Sequence, residues 1–541
     1  MEHIKPIIAV MFSALLCGCT SAAGSSGDSQ SQAEFSPESG FALGAAVPSQ
    51  PGEITVQSLD APTGKNLPDG NPLISNVFCA DPTAVEYEGR LYIYGTNDNQ
   101  QYETVGADGK NTYEHIKSLV ILSTDDMVNY TYHGIIDIAE ICPWALASWA
   151  PSITSRVEED GLTHFYLYFS NSGWGTGVIT STSPIGPWSD PLGKSLLDGN
   201  TPGLNGCSSP FDPGVCIDDN GTGWLAFGGG DGGSRIVKLG DDMVSIDSDI
   251  VKIPSKFNFE ASELNYINGT YVYTYNNDWS SHTDGWDVDG VTPPPQCSMS
   301  YMTTKTPLDT DSWVYQDYYF KNPGEYGLEY SNNHTHLQKY QGKYYLFYHA
   351  MYPQKALGTY GGFRSLCVNE AQVDEENVVI EKVTGDKAGV SQIKSLDPYQ
   401  PVQAETIAAC AGASYAPAEG SGNMTISCGA ENGSGAWTCV RGADFGDGAK
   451  YFAAKVKGTG RVDVYLDNIE GTAAASVALT TGRSYTTACS PRYPELTTCS
   501  SCSRLALSSI PGSLHDCNIF RPLCFSGRSI DFFNGFCYNV M

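Results

Sequence analysis

Three acidic residues and one histidine are notable because each opens a short stretch that alternates apolar and polar residues. Asp81, Asp212, Glu260 and His334 begin four such stretches, and Ala150 begins a fifth. Carboxyl groups crowded at one place raise each other's pKa, so one can stay protonated at neutral pH while another is ionised. Hydrolysis of a glycosidic bond requires such a pair. The alternative is that these residues are turn or strand-cap residues, since Asp before Pro is common in turns.

The stretches that begin with these residues belong to a fivefold repeat between about Asn71 and Gly385. Each copy continues through a Gly turn into an aromatic-rich strand, and a third strand follows most copies. Such units predict the blades of a five-bladed β-propeller. The innermost strand of each blade lines the central axis, so the first residues of all five are expected at one mouth. A β-sandwich made of similar hairpins is the alternative fold.

The positions of the other polar residues along these strands predict which of them face the axis. Glu263 lies three residues after Glu260, and an odd offset in a strand points to the opposite face. Glu260 is therefore expected to face the axis and Glu263 to point away from it. His336 and His349 are expected to be packing residues.

Three tryptophans are candidates for a wall on which sugar rings stack, because aromatic faces match the C–H faces of pyranose and furanose rings. They are Trp144, Trp149 and Trp174. Packing between blades is the alternative for each of them.

The composition agrees with an all-β protein and argues against nucleic-acid binding. The net charge of −30 repels phosphate backbones. With 58 Gly and 32 Tyr but only 17% charged residues, the chain has the turn-formers and aromatic residues of a β-protein.

The N-terminus has the features of a bacterial export signal. Lys5 precedes the apolar run Pro6–Leu16, which is too short to span a bilayer. The run ends in the letters LCGC, similar to a lipobox, so residues 1–19 are predicted to be a signal peptide with a lipid on Cys19. Plain secretion after the nearby Ser-Ala-Ala is the alternative, and either route exports the protein. Residues 20–70, rich in Ser and Gly, predict a linker.

Five short motifs carry a family resemblance, and they stand in the family's order and spacing across residues 71–395. They are Ala80-Asp81-Pro82, Trp149-Ala150-Pro151-Ser152, Phe211-Asp212-Pro213-Gly214, Phe259-Glu260-Ala261-Ser262 and Asn332-Asn333-His334. Together they resemble glycoside hydrolase family 43. The resemblance implies a five-bladed β-propeller and inverting hydrolysis of xylan- or arabinan-derived linkages.

The resemblance also implies roles for individual residues. Asp81 would be the general base, Glu260 the general acid, and Asp212 the residue that orients the acid and tunes its pKa. An inverting pair of carboxyl groups is typically about 6.5–9.5 Å apart. His334 would lie at the base of the pocket as a substrate-binding residue, either near a metal or water cluster or as a neutral histidine. Arg364 would contact substrate.

The same resemblance implies no required cofactor. A structural Ca²⁺ remains an expectation, and it would need several oxygen ligands.

The C-terminal region, residues 401–541, has a different pattern. Up to about residue 482 its alternating strands resemble a family 6 carbohydrate-binding module, a β-sandwich. Trp437 is a candidate there for either a ligand platform or a core residue. Beyond residue 482 the alternation fades and six cysteines follow between Cys489 and Cys537. Export permits disulfides among them without fixing their pairing.

These observations predict an exported glycoside hydrolase that acts on arabinoxylan, with α-L-arabinofuranosidase as the leading activity. A module of the family 6 type tends to accompany removal of arabinose side chains, which is an argument from analogy. Exo-β-1,4-xylosidase and endo-arabinanase are alternatives. A non-catalytic glycan-binding lipoprotein is another, but it would need the aromatic wall and not the three carboxylates.

Overall fold

The computed structural model describes most of the chain after residue 64. The described residues are 65–66, 69–280, 282, 286–400, 402–417, 424–428, 436–446, 451–457, 460–467, 473–479, 484–488, 504–509, 518–519 and 524–526. The predicted signal peptide, most of the linker and most of the cysteine-rich end lie outside them. Within the described part, no helix is long and apolar enough to cross a membrane.

Five antiparallel sheets follow one another along the chain as the blades of a propeller, which confirms the predicted fold. Blade one contains β1 (Ala80–Tyr87), β2 (Arg90–Thr96), β3 (Ser118–Thr124) and β4 (Tyr130–Asp137). Blade two contains β5 (Trp149–Val157), β6 (Thr163–Ser170), β7 (Gly175–Ser181) and β8 (Leu197–Asp198). Blade three contains β9 (Gly214–Ile217), β10 (Gly223–Phe227), β11 (Arg235–Lys238) and β12 (Val251–Lys252).

The remaining two blades complete the propeller. Blade four contains β13 (Asn258–Ile267), β14 (Thr270–Asn277), β15 (Met299–Thr304) and β16 (Val314–Phe320). Blade five contains β17 (Thr335–Tyr340), β18 (Lys343–Ala350) and β19 (Ser365–Ala371), and the hairpin β20 (Val373–Asp374) and β21 (Val379–Ile380) follows it. The helices are α1 (Asp98–Val105) and α2 (Ile138–Ile141), with 3₁₀ turns at Ser172–Trp174, Gly230–Gly232, Thr310–Ser312 and Pro323–Tyr326.

The aromatic-rich second strand of a blade is buried on both faces because it packs against both neighbouring blades. In β6, Phe165, Leu167 and Phe169 join the apolar cluster shared with blade one. The alternate residues Tyr166 and Tyr168 join the cluster shared with blade three. Full burial of one such side chain contributes about 1.5–3 kcal/mol, so the interfaces between blades form the core.

In four blades a residue in the left-handed conformation lies close to the start of the innermost strand. These residues and their φ angles are Asp81 (51°), Ala150 (37°), Asp212 (49°) and Ala261 (62°). A bulge in the pairing accompanies this conformation in β1, β5 and β13. Glu260 was expected to match Asp81 and Asp212 in register, and this is wrong by one residue, because Ala261 takes the equivalent backbone position.

The left-handed turn directs each of these backbone N–H groups to a side chain of the preceding blade. The four hydrogen bonds run from Asp81 N to His349 Nδ1 (3.1 Å), Ala150 N to Thr96 Oγ1 (2.8 Å), Asp212 N to Ser170 Oγ (2.8 Å) and Ala261 N to Asp212 Oδ2 (2.8 Å). We refer to these four bonds as the inner ring.

A second set of contacts lies two residues further along the innermost strands. There a side chain accepts from the backbone of the next blade: Thr83 Oγ1 from Ile153 N (3.1 Å), Ser152 Oγ from Val215 N (3.0 Å), Glu263 Oε1 from Leu337 N (3.0 Å) and His336 Nε2 from Ala84 N (3.1 Å). Gly214 takes this position in blade three. A Cβ on Gly214 would come within 2.5 Å of the Glu263 Cα, so this contact between strands requires glycine.

Blade five is completed by the chain that precedes β1. Leu73 N donates to Leu366 O at 2.8 Å, and Cys79 N donates to Arg364 O at 2.9 Å. The start of the propeller therefore lies against its last blade, and the circle is closed by backbone hydrogen bonds.

The chain beyond blade five begins on the outer edge of blade one. Strand β22 (Thr406–Ile407) pairs with β4. The Tyr132 and Tyr415 rings stack with centroids 4.2 Å apart, and the Asn129 side chain exchanges two hydrogen bonds with the Arg441 backbone. This part of the C-terminal region is thus joined to the propeller.

The other described C-terminal strands form two antiparallel sheets. The strands are β23 (Ala409–Ala411), β24 (Ala413–Pro417), β25 (Met424–Cys428), β26 (Trp437–Arg441), β27 (Tyr451–Lys457), β28 (Gly460–Leu466), β29 (Ala475–Leu479), β30 (Ser484–Ala488), β31 (Arg504–Ser509), β32 (Asn518–Ile519) and β33 (Cys524–Ser526). One sheet has the order β23-β26-β31-β28-β29, and the other has the order β24-β25-β32-β27-β30, with β33 beside β27. Trp437 is buried. The family 6-like module stays a prediction.

The close approach at Gly214 gives a stability test. Gly214→Ala is expected to lower the free energy of unfolding by about 1–3 kcal/mol, because the new methyl group overlaps backbone atoms of Glu263. Urea unfolding measures this change. Gly199→Ala is the control, because a Cβ there meets nothing within 4 Å. Equal unfolding midpoints for the Gly214 variant and the wild type would contradict the described packing.

Candidate active site

Asp81 is a buried carboxylate held by groups from two blades. Its Oδ1 accepts from Arg364 Nη1 at 2.9 Å, and its Oδ2 accepts from Thr96 Oγ1 at 2.7 Å. His349 Nδ1 lies 3.2 Å from Oδ1. Burial opposes ionisation, but the charges of Arg364, His349 and His334 outweigh it and hold the pKa of Asp81 well below its usual range. The carboxylate is therefore ionised throughout the neutral range.

Arg364 is as buried as the carboxylates it binds. Its Nε and Nη2 donate to Asp98 at 2.9 and 2.8 Å, and its guanidinium lies 4.9 Å from the centre of the Tyr113 ring. Asp98 is the first residue of α1, and the side chain of Asn97 caps that helix. These contacts hold Arg364 against Asp81. The contact of Arg364 with substrate stays a prediction.

Asp212 is a second buried carboxyl group of the site, and the inner ring fixes it. Its Oδ2 accepts from Ala261 N at 2.8 Å, and its Oδ1 accepts from Ser170 Oγ at 3.2 Å. Burial raises the pKa of Asp212, and the charge of Asp81 raises it further, while His334 and the Ala261 N–H act in the opposite direction.

Glu260 differs from the other two carboxyl groups because it is only partly buried. Burial, then the charges of Asp212 and Asp81, raises the pKa of Glu260 to about 8. A hydrogen bond with Asn332 lowers this pKa, but by less. At neutral pH the site therefore presents a protonated Glu260 together with an ionised Asp81. One group can donate a proton while the other accepts one.

His334 lies beside these carboxyl groups, with its Nδ1 3.7 Å from Asp81 Oδ1. Burial lowers the pKa of His334, although Asp81 and Asp212 favour its charged form. Among the described residues, no group of three or more His, Cys, Asp or Glu side chains is arranged to hold a metal ion. A metal ion at His334 stays a prediction.

Three sequence expectations near the axis were wrong. His349 is not a packing residue, since its Nε2 donates to Asn332 O at 2.8 Å while its Nδ1 contacts Asp81. His336 Nδ1 lies 2.7 Å from Glu263 Oε1. Glu263 reaches the neighbouring innermost strand because the bulge at Ala261 cancels the odd-offset argument.

The predicted tryptophans have different surroundings. Trp174 is 69% exposed, on the loop after Ser170 and therefore on the side of the mouth. Trp149 is partly buried and donates from Nε1 to Tyr113 O at 3.2 Å. Trp144 stacks on Phe169 and is a packing residue between blades.

A comparison with protein families identifies the family of this chain. The model of glycosyl hydrolases family 43 matches residues 70–379, which contain all five blades. The chain belongs to glycoside hydrolase family 43. It is therefore a glycoside hydrolase, and the family acts with inversion of the anomeric configuration.

Two relatives of this family 43 enzyme are similar over most of its length. An arabinoxylan arabinofuranohydrolase from Bacillus subtilis is 37% identical over 439 residues, which is 75% of this chain and 83% of the relative. An arabinoxylan arabinofuranohydrolase from Paenibacillus polymyxa is 34% identical over 445 residues, 77% of this chain and 68% of the relative.

A solved structure is similar as well. The crystal structure of a family 43 arabinoxylan arabinofuranohydrolase from Bacillus subtilis, in complex with cellotetraose, has a TM-score of 0.77 at 33% identity. The match covers 86% of this chain and 99% of the other.

Sequence analysis of this family 43 enzyme missed several residues of the site. Asp98 begins α1, Tyr113 and Asn332 lie in loops, and His349 lies near the end of β18. Asn332 stands in the motif that contains His334, but no motif marked it as a neighbour of Arg364, and none marked Asp98 or Tyr113. Three exposed aromatic residues on the side of the mouth were not predicted either. They are Trp279, Tyr330 and Tyr360.

Arg364 is expected to contribute strongly to stability. Arg364→Met leaves the buried Asp81 and Asp98 without their cation and should cost about 3–5 kcal/mol of unfolding free energy at pH 7. The low pKa of Asp81 stabilises the wild type above the unfolded pKa of about 3.9, and this contribution fades as the pH falls below that value. The difference in unfolding free energy between the variant and the wild type should therefore narrow in acid. Urea unfolding at about pH 7 and about pH 3 measures both effects.

A matched control for this variant is Lys343→Met, which removes an exposed cation from Glu370. It should leave the unfolding midpoint almost unchanged, since exposed ion pairs contribute little. A loss in Arg364→Met no larger than in this control would contradict the described charge network.

Proposed function

We propose that this family 43 enzyme is an exported α-L-arabinofuranosidase that removes arabinose side chains from arabinoxylan. The observation that carries the chemistry is the separation of two pKa values in one site, with Asp81 ionised and Glu260 protonated at neutral pH. The substrate is argued from the two bacterial relatives, both of them arabinoxylan arabinofuranohydrolases.

In the proposed reaction Asp81 is the general base and Glu260 the general acid. Asp81 takes a proton from a water molecule whose oxygen attacks the anomeric carbon of the arabinose. The bond between that carbon and the bridging oxygen breaks, and Glu260 gives its proton to the departing oxygen of the xylan chain. Negative charge therefore moves from Asp81 to Glu260 in a single displacement, and the product has the opposite anomeric configuration.

Asp212 is proposed to keep Glu260 protonated. Its charge raises the pKa of Glu260, and its own carboxyl group is fixed by Ser170 and Ala261. No step of this reaction needs a cofactor.

We also propose sugar contacts for Trp149 and Trp174 on the side of the mouth. The exposed ring of Trp174 offers a free face. A lipid on Cys19 would attach the mature enzyme to the cell surface, with residues 20–70 as the linker.

Release of arabinose from wheat arabinoxylan tests the proposed function. The wild type should release free arabinose, and Glu260→Gln and Asp81→Asn should each lower the rate by at least about 10²–10⁴-fold. Glu370→Gln is the control, because Glu370 is exposed on β19 and contacts Lys343. Equal release by the wild type and Glu260→Gln would refute the assignment of the acid. Release of xylose without arabinose would refute the substrate.

The alkaline limb of the pH profile should report the pKa of Glu260. Because the acid must be protonated, kcat/KM on arabinoxylo-oligosaccharides should fall as the pH rises through about 8. Asp212→Asn removes a negative charge beside Glu260, so the limb should move to lower pH. A limb that stays in place in this variant would contradict the role proposed for Asp212.

A further inference from the structure

Asn332 lies where the surroundings of the base and of the acid meet. Its Oδ1 accepts from Arg364 Nη1 at 3.3 Å, and the same nitrogen donates to Asp81 Oδ1 at 2.9 Å. Its side chain also lies beside Glu260, whose pKa it lowers. Asn332 therefore connects the two carboxyl groups through one guanidinium nitrogen.

The backbone of Asn332 makes a second connection to Asp81. Its carbonyl oxygen accepts from His349 Nε2 at 2.8 Å, and His349 Nδ1 accepts from Asp81 N at 3.1 Å. His349 and Arg364 thus each contact both Asp81 and Asn332.

The segment that carries Asn332 is anchored on both sides. The buried Asn333 donates from Nδ2 to Cys297 O at 3.1 Å and to Lys321 O at 3.2 Å. Ser331 Oγ donates to Asn332 O at 2.9 Å. Because these contacts come from the fold, Asn332 is held in place without substrate.

An amide side chain suits this position because it both accepts and donates. The oxygen of Asn332 accepts from Arg364, which leaves its amide N–H groups free of that bond and able to stabilise a carboxylate at Glu260. A carboxylate would repel the charge that forms on Glu260, and an apolar side chain would leave Arg364 and Glu260 without this partner.

We propose that Asn332 is a positioning residue that couples the base to the acid during the reaction. The inference rests on the proposed roles of Asp81 and Glu260. When Asp81 gains a proton, Arg364 Nη1 loses the charge of its partner and keeps the Asn332 oxygen as acceptor. When Glu260 loses its proton, the Asn332 amide stabilises the new carboxylate. The chain from Arg364 through Asn332 to Glu260 therefore follows the movement of charge without carrying a proton.

Steady-state kinetics of Asn332→Ala and Asn332→Asp test this role. On arabinoxylo-oligosaccharides, kcat should fall about 10–100-fold with little change in KM, since the loss affects the reacting groups and not the sugar contacts. In both variants the alkaline limb should move to higher pH, because Glu260 loses its donor or gains a negative neighbour. Glu370→Gln is the control, since Glu370 is exposed on β19 and contacts only Lys343 and Gln372.

A second substrate separates this role from a purely structural one. The nitrophenolate of a nitrophenyl α-L-arabinofuranoside departs without protonation by the acid. The fall in kcat caused by Asn332→Ala should therefore be smaller on this substrate than on the oligosaccharide. Equal losses on both substrates, a lower melting temperature and an unmoved limb would show a structural role and overturn the proposal. An unchanged kcat in both variants would overturn it as well.

The two proposals fail in different ways. A wild type that cleaves the aryl arabinoside but releases no arabinose from arabinoxylan would refute the proposed substrate. The limb of Asn332→Asp on methyl α-L-arabinofuranoside, whose departing methanol needs a proton from Glu260, would then still decide the inference, since a shift to higher pH supports it and an unmoved limb overturns it.

Discussion

The site depends on the inner ring, in which four backbone N–H groups each bind a side chain of the preceding blade. The left-handed residue at the start of an innermost strand turns its N–H out of its own sheet and toward the neighbour. Two of these residues, Asp81 and Asp212, are themselves carboxylates of the site, so the contacts that close the propeller also fix its reacting groups. Because the partners are on different blades, the position of each carboxylate follows from the closure of the whole ring.

The electrostatics of the site follow from where its one buried guanidinium lies. Arg364 stands against Asp81 and is held there by Asp98, so its charge outweighs the burial that would otherwise raise the pKa of Asp81. Glu260 lacks such a close partner and is affected by the charges of both Asp212 and Asp81. At neutral pH Asp81 is therefore ionised while Glu260 is protonated, although both are carboxyl groups of similar intrinsic pKa. Acid and base catalysis at one pH requires this difference.

The features that could be predicted from the sequence are those that repeat along the chain. Five copies of one strand pattern predicted the propeller, and the first residues of the copies included Asp81, Asp212 and Glu260. The backbone register of Glu260 was wrong by one residue, since Ala261 takes the position equivalent to Asp81 and Asp212. The prediction for Glu263 was wrong because a bulge changes which face a residue takes, and no local pattern marks a bulge. Asp98 could not be found because it contacts Arg364 across a large sequence separation and belongs to no repeat, and the motif that contains Asn332 gave no sign of its contact with Arg364.

The most direct test of the account is the configuration of the first product, followed by proton NMR during hydrolysis of arabinoxylan. A water activated by Asp81 on one face and a proton delivered by Glu260 on the other predict that arabinose appears first as the β-anomer, before mutarotation. Arabinose that appears first as the α-anomer would mean a covalent intermediate, and it would contradict the single displacement assigned to Asp81 and Glu260.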